Sequence, residues 1–399
     1  MALIDELIKL KGSDMLPLHM PGHKRSGRIR SMEGIYGIDV TEIDGFDDLH
    51  APCGMLKDMN ERGARIYGAH AAWMSVNGST AANEAALLGT CRPGDAVLMA
   101  RASHRSIYHA VEVGALRPAY LSGSVTGDAS IVLPPTAGEV ERALSSREDV
   151  RAVVITSPTY EGVIADVAGI AGAAHAHGAT LIVDSAHGAH FGIRGDDAAG
   201  PITQGADLVI LSLHKMLPAP TQTGLLLVSG EAVSEARVSP ARISHYLDVF
   251  LTSSPSYVLM AGIGECLGYV ESEAVADLGR MRGILEDYRQ GAGLSALDVS
   301  LPVPGADPFK MVIRSRDGFP TGREIYDILR KEYHIQCEMA GVGYALALFS
   351  VMDDEKSVDR LGQALRAIDL RAVDGSGSQV AGATLGGSTR GGASRTGSP

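Results

Sequence analysis

A lysine that follows a buried strand is the first candidate for chemistry in this sequence. Lys215 lies in the stretch LSLHKMLPAPTQ (211–222), directly after the apolar run 207–211, which is typical of a fully buried strand. Pro218 and Pro220 forbid a helix through this point, so we expect irregular backbone here. A lysine that is desolvated at such a strand end becomes more neutral and nucleophilic, and it can form a Schiff base. Taken alone, the stretch favours an ordinary surface loop.

Two hydroxyl side chains mark a second candidate site, at the start of a predicted helix. Asn77 and Gly78 interrupt the chain, Ser79 is suited to the N-cap position, and an alanine-rich helix is expected through Leu88. Unpaired amide groups at a helix start, with the helix dipole behind them, bind anions such as phosphate. Ser79 and Thr80 would add two hydroxyl groups in front of these amides. An ordinary capped helix is the alternative.

Asp184 and His104 extend the set, because each follows a predicted strand. Taken alone, Asp184 could cap the next turn, and His104 could be an ordinary hydrogen-bonded histidine. Pyridoxal 5′-phosphate requires a lysine for its aldehyde, an acid for its ring nitrogen, a flat partner for its ring and a phosphate site. The combination therefore predicts pyridoxal 5′-phosphate as the cofactor, with Lys215 at its aldehyde and Asp184 at its ring nitrogen.

The elements that must position these side chains alternate between strand and helix. Such alternation predicts an α/β fold with a mostly parallel sheet and helices on both faces, and polar residues collect at the strand ends where such sheets build their sites. Helices are expected at 55–67, 107–113 and 167–177, and strands at 96–99, 119–121, 151–156, 180–184, 207–211 and 224–229. Farther along, strand, helix, strand and helix at 308–314, 322–333, 344–349 and 357–370 predict a small α+β domain.

Four segments follow from this pattern. We expect an N-terminal helix and loop segment at 1–50 and a large cofactor-binding domain at 51–255. A linker helix and the small α+β domain are expected at 256–373, and a flexible Gly/Ser tail at 374–399.

Composition excludes several classes of function. The net charge of −12, without a compensating basic run, argues against nucleic acid as the main partner. The first twelve residues, MALIDELIKLKG, suit an amphipathic helix better than a signal peptide, and no apolar run approaches the span of a bilayer. The sequence has four scattered cysteines without a C-x-x-C pair: Cys53, Cys91, Cys266 and Cys337. They indicate neither a metal site nor a disulfide framework, so we expect a reducing cytoplasm.

The chain resembles fold-type I pyridoxal-phosphate enzymes and, more narrowly, the bacterial ornithine/lysine/arginine decarboxylase group. This resemblance implies a seven-stranded sheet of the kind found in pyridoxal-phosphate-dependent transferases. The most specific stretches are PGHK and HK-x-L-P-A-x-T-Q-T, and the likeness covers most of residues 15–230. The stretches that carry it are MPGHKRSG (20–27), DVTEIDGFDDLHAPCGMLKD (39–58), NGSTAANEA (77–85), SHRS (103–106), SPTYEGVIADV (157–167), VDSAHGAHFG (183–192) and SLHKMLPAPTQTG (212–224).

The resemblance implies roles around the cofactor ring. Lys215 would form the Schiff base, Asp184 would pair with the ring nitrogen, His104 would stack on the ring, and His187 would lie near its O3′ side. Ser185 stands where the group more often has a glutamate, a difference that we expect to leave the chemistry unchanged.

The resemblance also implies a phosphate site and an assembly. Ser79, Thr80 and Ser212 would hold the phosphate with help from His214. Members of the group work as homodimers or higher homo-oligomers with sites at subunit interfaces. Two further residues, Thr221 and Gln222, would then serve the neighbouring site.

The implied activity is decarboxylation of a basic L-amino acid (arginine, lysine or ornithine) to the corresponding amine and CO₂, as in polyamine biosynthesis. The proton donor to Cα is left open between Lys215 and a nearby histidine. Candidates to receive the distal cation of the substrate are carboxylates: Asp44, Asp47, Asp48 and Glu338.

Two alternatives stay open. An aminotransferase or related lyase on the same fold would need an arginine for the substrate carboxylate, for which Arg314 is a candidate. A pyridoxal-phosphate-binding protein without turnover is the other alternative, because these decarboxylases usually continue into a further C-terminal domain.

Overall fold

The computed structural model describes residues 2–126, 131–196 and 198–373. Within these ranges, a seven-stranded sheet, here called the large sheet, has the strand order β1-β7-β6-β5-β4-β2-β3. Strand β7 is antiparallel to both of its neighbours, and the other neighbouring pairs are parallel. The predicted mostly parallel α/β sheet is therefore confirmed. Its strands are β1 (Ala71–Ser75), β2 (Ala96–Ala100), β3 (Arg117–Leu121), β4 (Val150–Thr156), β5 (Thr180–Asp184), β6 (Leu208–Ser212) and β7 (Gly224–Val228).

Helices cover both faces of the large sheet. Every residue of β2, β5, β6 and β7 is buried, and successive side chains of a strand point to opposite faces, so both faces must be covered. The helices are α1 (Leu3–Lys11), α2 (Glu33–Tyr36), α3 (Met55–Tyr67), α4 (Gly78–Thr90), α5 (Arg105–Val113), α6 (Ala137–Ser145), α7 (Val167–Ala176), α8 (Leu213–Met216), α9 (Gly230–Ser234), α10 (Pro240–Phe250), α11 (Tyr257–Ser272), α12 (Ala274–Gly291), α13 (Gly322–Glu332) and α14 (Glu355–Val373).

The carboxyl ends of three parallel strands meet at one edge of the large sheet. Thr156, the last residue of β4, is in register with Asp184, the last residue of β5, and Asp184 is in register with Ile210 of β6. Strand β6 ends two residues later at Ser212. The polar ends of β4, β5 and β6 therefore lie side by side, as the sequence pattern predicts.

A second, antiparallel sheet of four strands, here called the small sheet, has the order β10-β11-β9-β8. Helix α14 is fastened to it by Asp369, whose carboxylate accepts hydrogen bonds from the backbone N–H groups of Ser295, Ala296 and Leu297. The predicted α+β pattern is present, whereas the domain boundaries stay a prediction and the predicted tail at 374–399 lies outside the described residues. The strands are β8 (Leu297–Asp298), β9 (Lys310–Ser315), β10 (Met339–Ala340) and β11 (Tyr344–Leu348).

The backbone at Lys215 differs from the prediction. The residue lies in the one-turn helix α8, not in irregular backbone. The helix ends at Met216, and the next residue, Leu217, has the extended conformation (φ −120°, ψ 159°) that is favoured before a proline, here Pro218. The two prolines therefore limit the helix to a single turn without preventing it.

Within the described ranges, no helix is both long enough and apolar enough to cross a lipid bilayer.

Candidate active site

A cavity of about 630 Å³ opens where β4, β5 and β6 end. All eight side chains that the sequence assigns to a cofactor line it: Ser79, Thr80, His104, Asp184, His187, Ser212, His214 and Lys215. They come from four separate stretches of the chain, at 79–80, 104, 184–187 and 212–215, which the large sheet and helix α4 bring together. The geometry thus gathers the predicted residues around one space, whereas their roles stay predictions.

Lys215 projects into this cavity from helix α8. Its Nζ lies 3.0 Å from Nε2 of His187. Burial lowers the pKa of Lys215, although the negative charges of Asp184 and Glu338 oppose the shift. The amine is therefore biased toward its neutral, nucleophilic form.

Asp184 forms part of the buried wall, with 2% of its surface exposed. Its Oδ2 accepts a hydrogen bond from Nδ2 of Asn83 at 3.0 Å, and its Oδ1 accepts one from the backbone N–H of Ala186 at 3.2 Å. The same Asn83 nitrogen lies 3.1 Å from Oγ of Ser106. These contacts fix the carboxylate in one orientation.

The sequence assigned no role to Asn83. A signal was present, because a lone amide four residues after Ser79 in an alanine-rich helix shares a helix face with that serine. Local pattern could not identify Asp184 as its partner, since the two residues are 101 positions apart.

His104 and His187 lie on the wall of the same cavity. His104 is the N-cap of α5, where its Nδ1 accepts the backbone N–H of Ser106 at 3.3 Å, and burial lowers its pKa. The ring of His187 is 4.3 Å from that of Tyr160, centroid to centroid, at an angle of 56°. Burial, and then the positive charges of Lys310 and Lys215, lower the pKa of His187 to about 2, so this imidazole is neutral.

Ser79 and Ser212 bring two hydroxyl groups together at one end of the cavity. Their Oγ atoms are 2.7 Å apart, although the residues are 133 positions apart in the chain. The prediction that Ser79 is the N-cap of α4 is wrong, because Asn77 occupies that position and the turn is made by Gly78 at φ +73°. The N–H of Gly78 donates to the carbonyl oxygen of Gln222 at 2.8 Å, but no side chain caps the helix start, so the next amide groups, of Ser79 and Thr80, stay available for an anion.

Helix α8 and the segment that follows it contribute further residues to the cavity wall. Nδ1 of His214 is 2.9 Å from the carbonyl oxygen of Thr223, and the side chain of Gln222 donates a hydrogen bond to the carbonyl oxygen of Val76 at 2.6 Å. Thr221 and Gln222 both line this chain's own cavity. Their service to a neighbouring site stays a prediction.

Several buried polar atoms of the site have no hydrogen-bond partner among the described residues. They include Oδ1 of Asn83, Oγ1 of Thr156 and Nδ1 of His187, and all three residues line the cavity. Buried polar atoms are nearly always paired, so the cavity is built for a polar guest.

The acidic residues that the sequence offers for a distal cation do not line the cavity. Asp44, Asp47, Asp48 and Glu338 are all absent from its described wall. Asp47 has a structural role. Burial would raise its pKa, but hydrogen bonds from four backbone N–H groups, including those of Cys53 and Gly54, lower the pKa overall. Glu338 lies near the cavity, because it accepts a hydrogen bond from the hydroxyl of Tyr160 on the wall.

Arg314, the candidate for binding a substrate carboxylate, is engaged elsewhere. Its guanidinium pairs with the carboxylate of Asp298 at 2.7 Å, and it does not line the cavity. Arg101, which the sequence assigned no role, is the arginine on the described wall, where its guanidinium lies 5.0 Å from the ring centre of Tyr120.

The serine pair provides a test of the anion site. Ser79→Ala removes one hydroxyl from the helix start, and we expect pyridoxal 5′-phosphate to bind about 10- to 100-fold more weakly, the value of a hydrogen bond to a charged group. Titration of the cofactor-free protein, followed by absorbance, measures the dissociation constant. Ser234→Ala, at an exposed serine of α9, is the matched control. Equal affinities of the two variants would contradict an anion site at Ser79.

Comparison with known proteins gives two kinds of match. The family model described as "Orn/Lys/Arg decarboxylase, major domain" matches residues 3–279. The uncharacterized protein YaaO of Bacillus subtilis is 33% identical in an alignment of 323 residues that covers 78% of this chain and 66% of that protein. An arginine decarboxylase of Bacillus subtilis is 28% identical in an alignment of 364 residues that covers 88% of this chain and 73% of that enzyme.

Solved structures share the fold. The lysine decarboxylase LdcF of Francisella novicida superimposes with a TM-score of 0.78 at 17% sequence identity, covering 94% of this chain and 60% of that one. The chain therefore spans about three fifths of that enzyme, and 66% of YaaO.

Proposed function

This chain belongs to the Orn/Lys/Arg decarboxylase family, whose cofactor is pyridoxal 5′-phosphate, and on that premise we propose that it decarboxylates a basic L-amino acid. The substrate would be arginine, lysine or ornithine, and the products the corresponding amine and CO₂. The observation that carries the proposal is the placement of Asp184 and Lys215 on one cavity whose other end has the paired hydroxyls of Ser79 and Ser212.

The residues of the cavity fit this cofactor. The unpartnered atoms of Asn83, Thr156 and His187 offer hydrogen bonds to polar substituents of a ring. The uncapped start of α4, with Ser79, Thr80 and Ser212 beside it, suits a dianionic phosphate, and His214 lies next to it on the wall. We assign His104 to the ring face because it lines the cavity with its imidazole fixed by Ser106.

The chain's residues divide the catalytic work. When bound, pyridoxal 5′-phosphate supplies an electron sink for the pair released by the breaking Cα–carboxyl bond. Asp184 would hold a proton at the ring nitrogen, because a fixed, buried carboxylate favours a cation beside it. Lys215 would hold the cofactor through its aldehyde group.

The proton that returns to Cα is assigned to the contact between Nζ of Lys215 and Nε2 of His187, which are 3.0 Å apart. The amine of Lys215 would hold this proton against a histidine that burial keeps neutral. We therefore propose this pair, Lys215 and His187, as the proton donor to Cα, which the sequence left open between Lys215 and a nearby histidine.

We further propose that the chain assembles with a second copy. Four large apolar side chains on the segment before α2 are exposed: Met15 by 64%, Leu16 by 71%, Leu18 by 83% and Met20 by 65%. Such a cluster of exposed apolar side chains favours burial against a partner. A cytoplasmic location and a part in polyamine biosynthesis are also proposed. The four free cysteines suit a reducing compartment, and decarboxylated basic amino acids are polyamines or their precursors.

An amino-acid panel tests the function. Incubation of the cofactor-loaded protein with arginine, lysine and ornithine should release CO₂ and the matching amine, measured by ¹⁴CO₂ capture and chromatography. Formation of a keto acid would instead support the aminotransferase alternative. A cofactor absorbance that forms but changes with no amino acid would support a binding protein without turnover.

A further inference from the structure

A basic substrate brings a positive charge into the cavity that the wall must balance. Leaving a cation unpaired in a partly buried site is costly, so recognition of arginine, lysine or ornithine calls for a carboxylate near the end of the side chain. Among the described residues, the carboxylates on the cavity wall are Asp184 and Glu161. Asp184 is already bound by Asn83 and assigned to the cofactor ring.

Glu161 lies on the loop that follows β4, and its position is fixed on both sides of its carboxylate. Its Oε1 accepts a hydrogen bond from the hydroxyl of Tyr344 at 2.6 Å, and its Oε2 accepts one from the hydroxyl of Thr159 at 3.2 Å. A carboxylate has about four acceptor positions, so two hydrogen bonds leave room for a cation.

The backbone of this loop is fixed by contacts with buried residues. Gly162 has φ +92°, and a Cβ added there would lie 2.7 Å from Cγ of Lys310, a side chain with no exposed surface. The carbonyl oxygen of Gly162 also accepts the backbone N–H of Asp307 at 2.8 Å. The backbone next to Glu161 is therefore fixed by buried packing, and the two hydrogen bonds from Tyr344 and Thr159 orient its carboxylate.

Two tyrosine–glutamate hydrogen bonds near the cavity connect the loop after β4 with the small-sheet region, and each side supplies one tyrosine and one glutamate. Tyr344 of β11, in the small sheet, holds Glu161 after β4, whereas Tyr160 after β4 holds Glu338, which precedes β10. Burial raises the pKa of Tyr344, and so does its hydrogen bond to Glu161, so the phenol stays a donor. Unpartnered Nδ1 of His187, a residue that is 5% exposed, lies on the same wall beside Tyr160.

We propose that Glu161 is the specificity-determining residue that receives the distal cation of the substrate, and that Tyr344 is the positioning residue that aims its carboxylate. This inference rests on the proposed function for the identity of the substrate class, and it names a residue that the sequence did not. Tyr344 of the small sheet would thus contribute to substrate selection by positioning Glu161, which lies on a loop of the large sheet.

The test uses ligand pairs that differ in one charge. Binding of 1,5-diaminopentane and of pentylamine, which lacks the distal ammonium, is measured by calorimetry on the cofactor-loaded protein, with agmatine and 1,4-diaminobutane as further cations. Glu161→Gln should weaken the preferred diamine about 30- to 100-fold, the value of a charged hydrogen bond with its ion pair, and leave pentylamine within twofold. In turnover the same variant should raise KM for the basic amino acid far more than it lowers kcat.

Two further variants separate the role of Tyr344 from a general effect of charge. Tyr344→Phe should weaken the diamine about 5- to 10-fold, as expected for loss of one neutral donor, without changing the cofactor's absorbance. Glu112→Gln, at an exposed glutamate of α5, is the matched control and should match the wild type.

Two results would overturn the proposal: an unchanged preference for the diamine in Glu161→Gln, or loss of that preference in Glu338→Gln alone. If the wild type releases CO₂ from no amino acid, the proposed function fails, and the diamine measurement still decides the role of Glu161.

Discussion

Replacing Lys215 by alanine is expected to abolish covalent attachment of pyridoxal 5′-phosphate and to lower decarboxylation by about 10⁴-fold or more. The amine is the group that bonds to the aldehyde, and it also shares the proton assigned to Cα with His187 at 3.0 Å. The phosphate end, with Ser79 and Ser212, is unchanged, so the variant should still bind the cofactor without a covalent bond. Borohydride reduction followed by intact-protein mass spectrometry measures attachment.

Lys331→Ala is the matched control for this experiment, because its side chain is 69% exposed on helix α13. The control should gain the mass of the reduced cofactor and keep wild-type turnover. A cofactor mass adduct on a peptide other than the one containing position 215, or attachment that persists in Lys215→Ala, would refute the assignment.

Replacing Asp184 by asparagine is expected to lower kcat about 10²- to 10³-fold, while covalent attachment at Lys215 persists. Asparagine keeps the shape of the side chain, but it is neutral and no longer favours a protonated ring nitrogen. The electrons of the breaking bond then lack a charged acceptor. The measurement is single-turnover CO₂ release from the basic amino acid that the wild type prefers, together with cofactor content per chain.

Asp359→Asn, at an exposed aspartate of α14, controls for the loss of one negative charge. A kcat for Asp184→Asn within threefold of this control would show that the carboxylate does not act on the cofactor. Loss of cofactor from Asp184→Asn would instead indicate a role in binding, and the two outcomes are separated by the cofactor content.

The residues that sequence reasoning found have local signals. Asp184, Ser212 and Lys215 follow short apolar runs, and in a parallel sheet the carboxyl ends of such runs must share an edge. Asp184 and Lys215 therefore meet at one cavity with Ser79, Thr80 and His104. The other three residues of the cavity, His187, Ser212 and His214, were assigned from the family resemblance and not from local pattern. The mostly parallel sheet followed from the same alternation of helix and strand.

The contacts that sequence reasoning missed depend on pairs far apart in the chain. Glu161 and Tyr344 are 183 positions apart, so neither residue's neighbours indicate the other. Strand β1 was also missed, because the short run AAWMS gains its identity from the antiparallel partner β7. The N-cap of α4 was misplaced by two residues, since the choice between Asn77 and Ser79 depends on the turn at Gly78.

The pairing of β1 with β7 has a consequence for biosynthesis. Ser75 is in register with Gly224. Strand β1 and the start of helix α4, which follows it, therefore leave the ribosome long before β7 has been synthesised. Contacts of such high sequence separation form late, because a long loop must close first. The nascent chain should therefore bind no vitamin B6 derivative until β7 has been translated, and truncated chains that end before β7 should remain protease-sensitive and colourless.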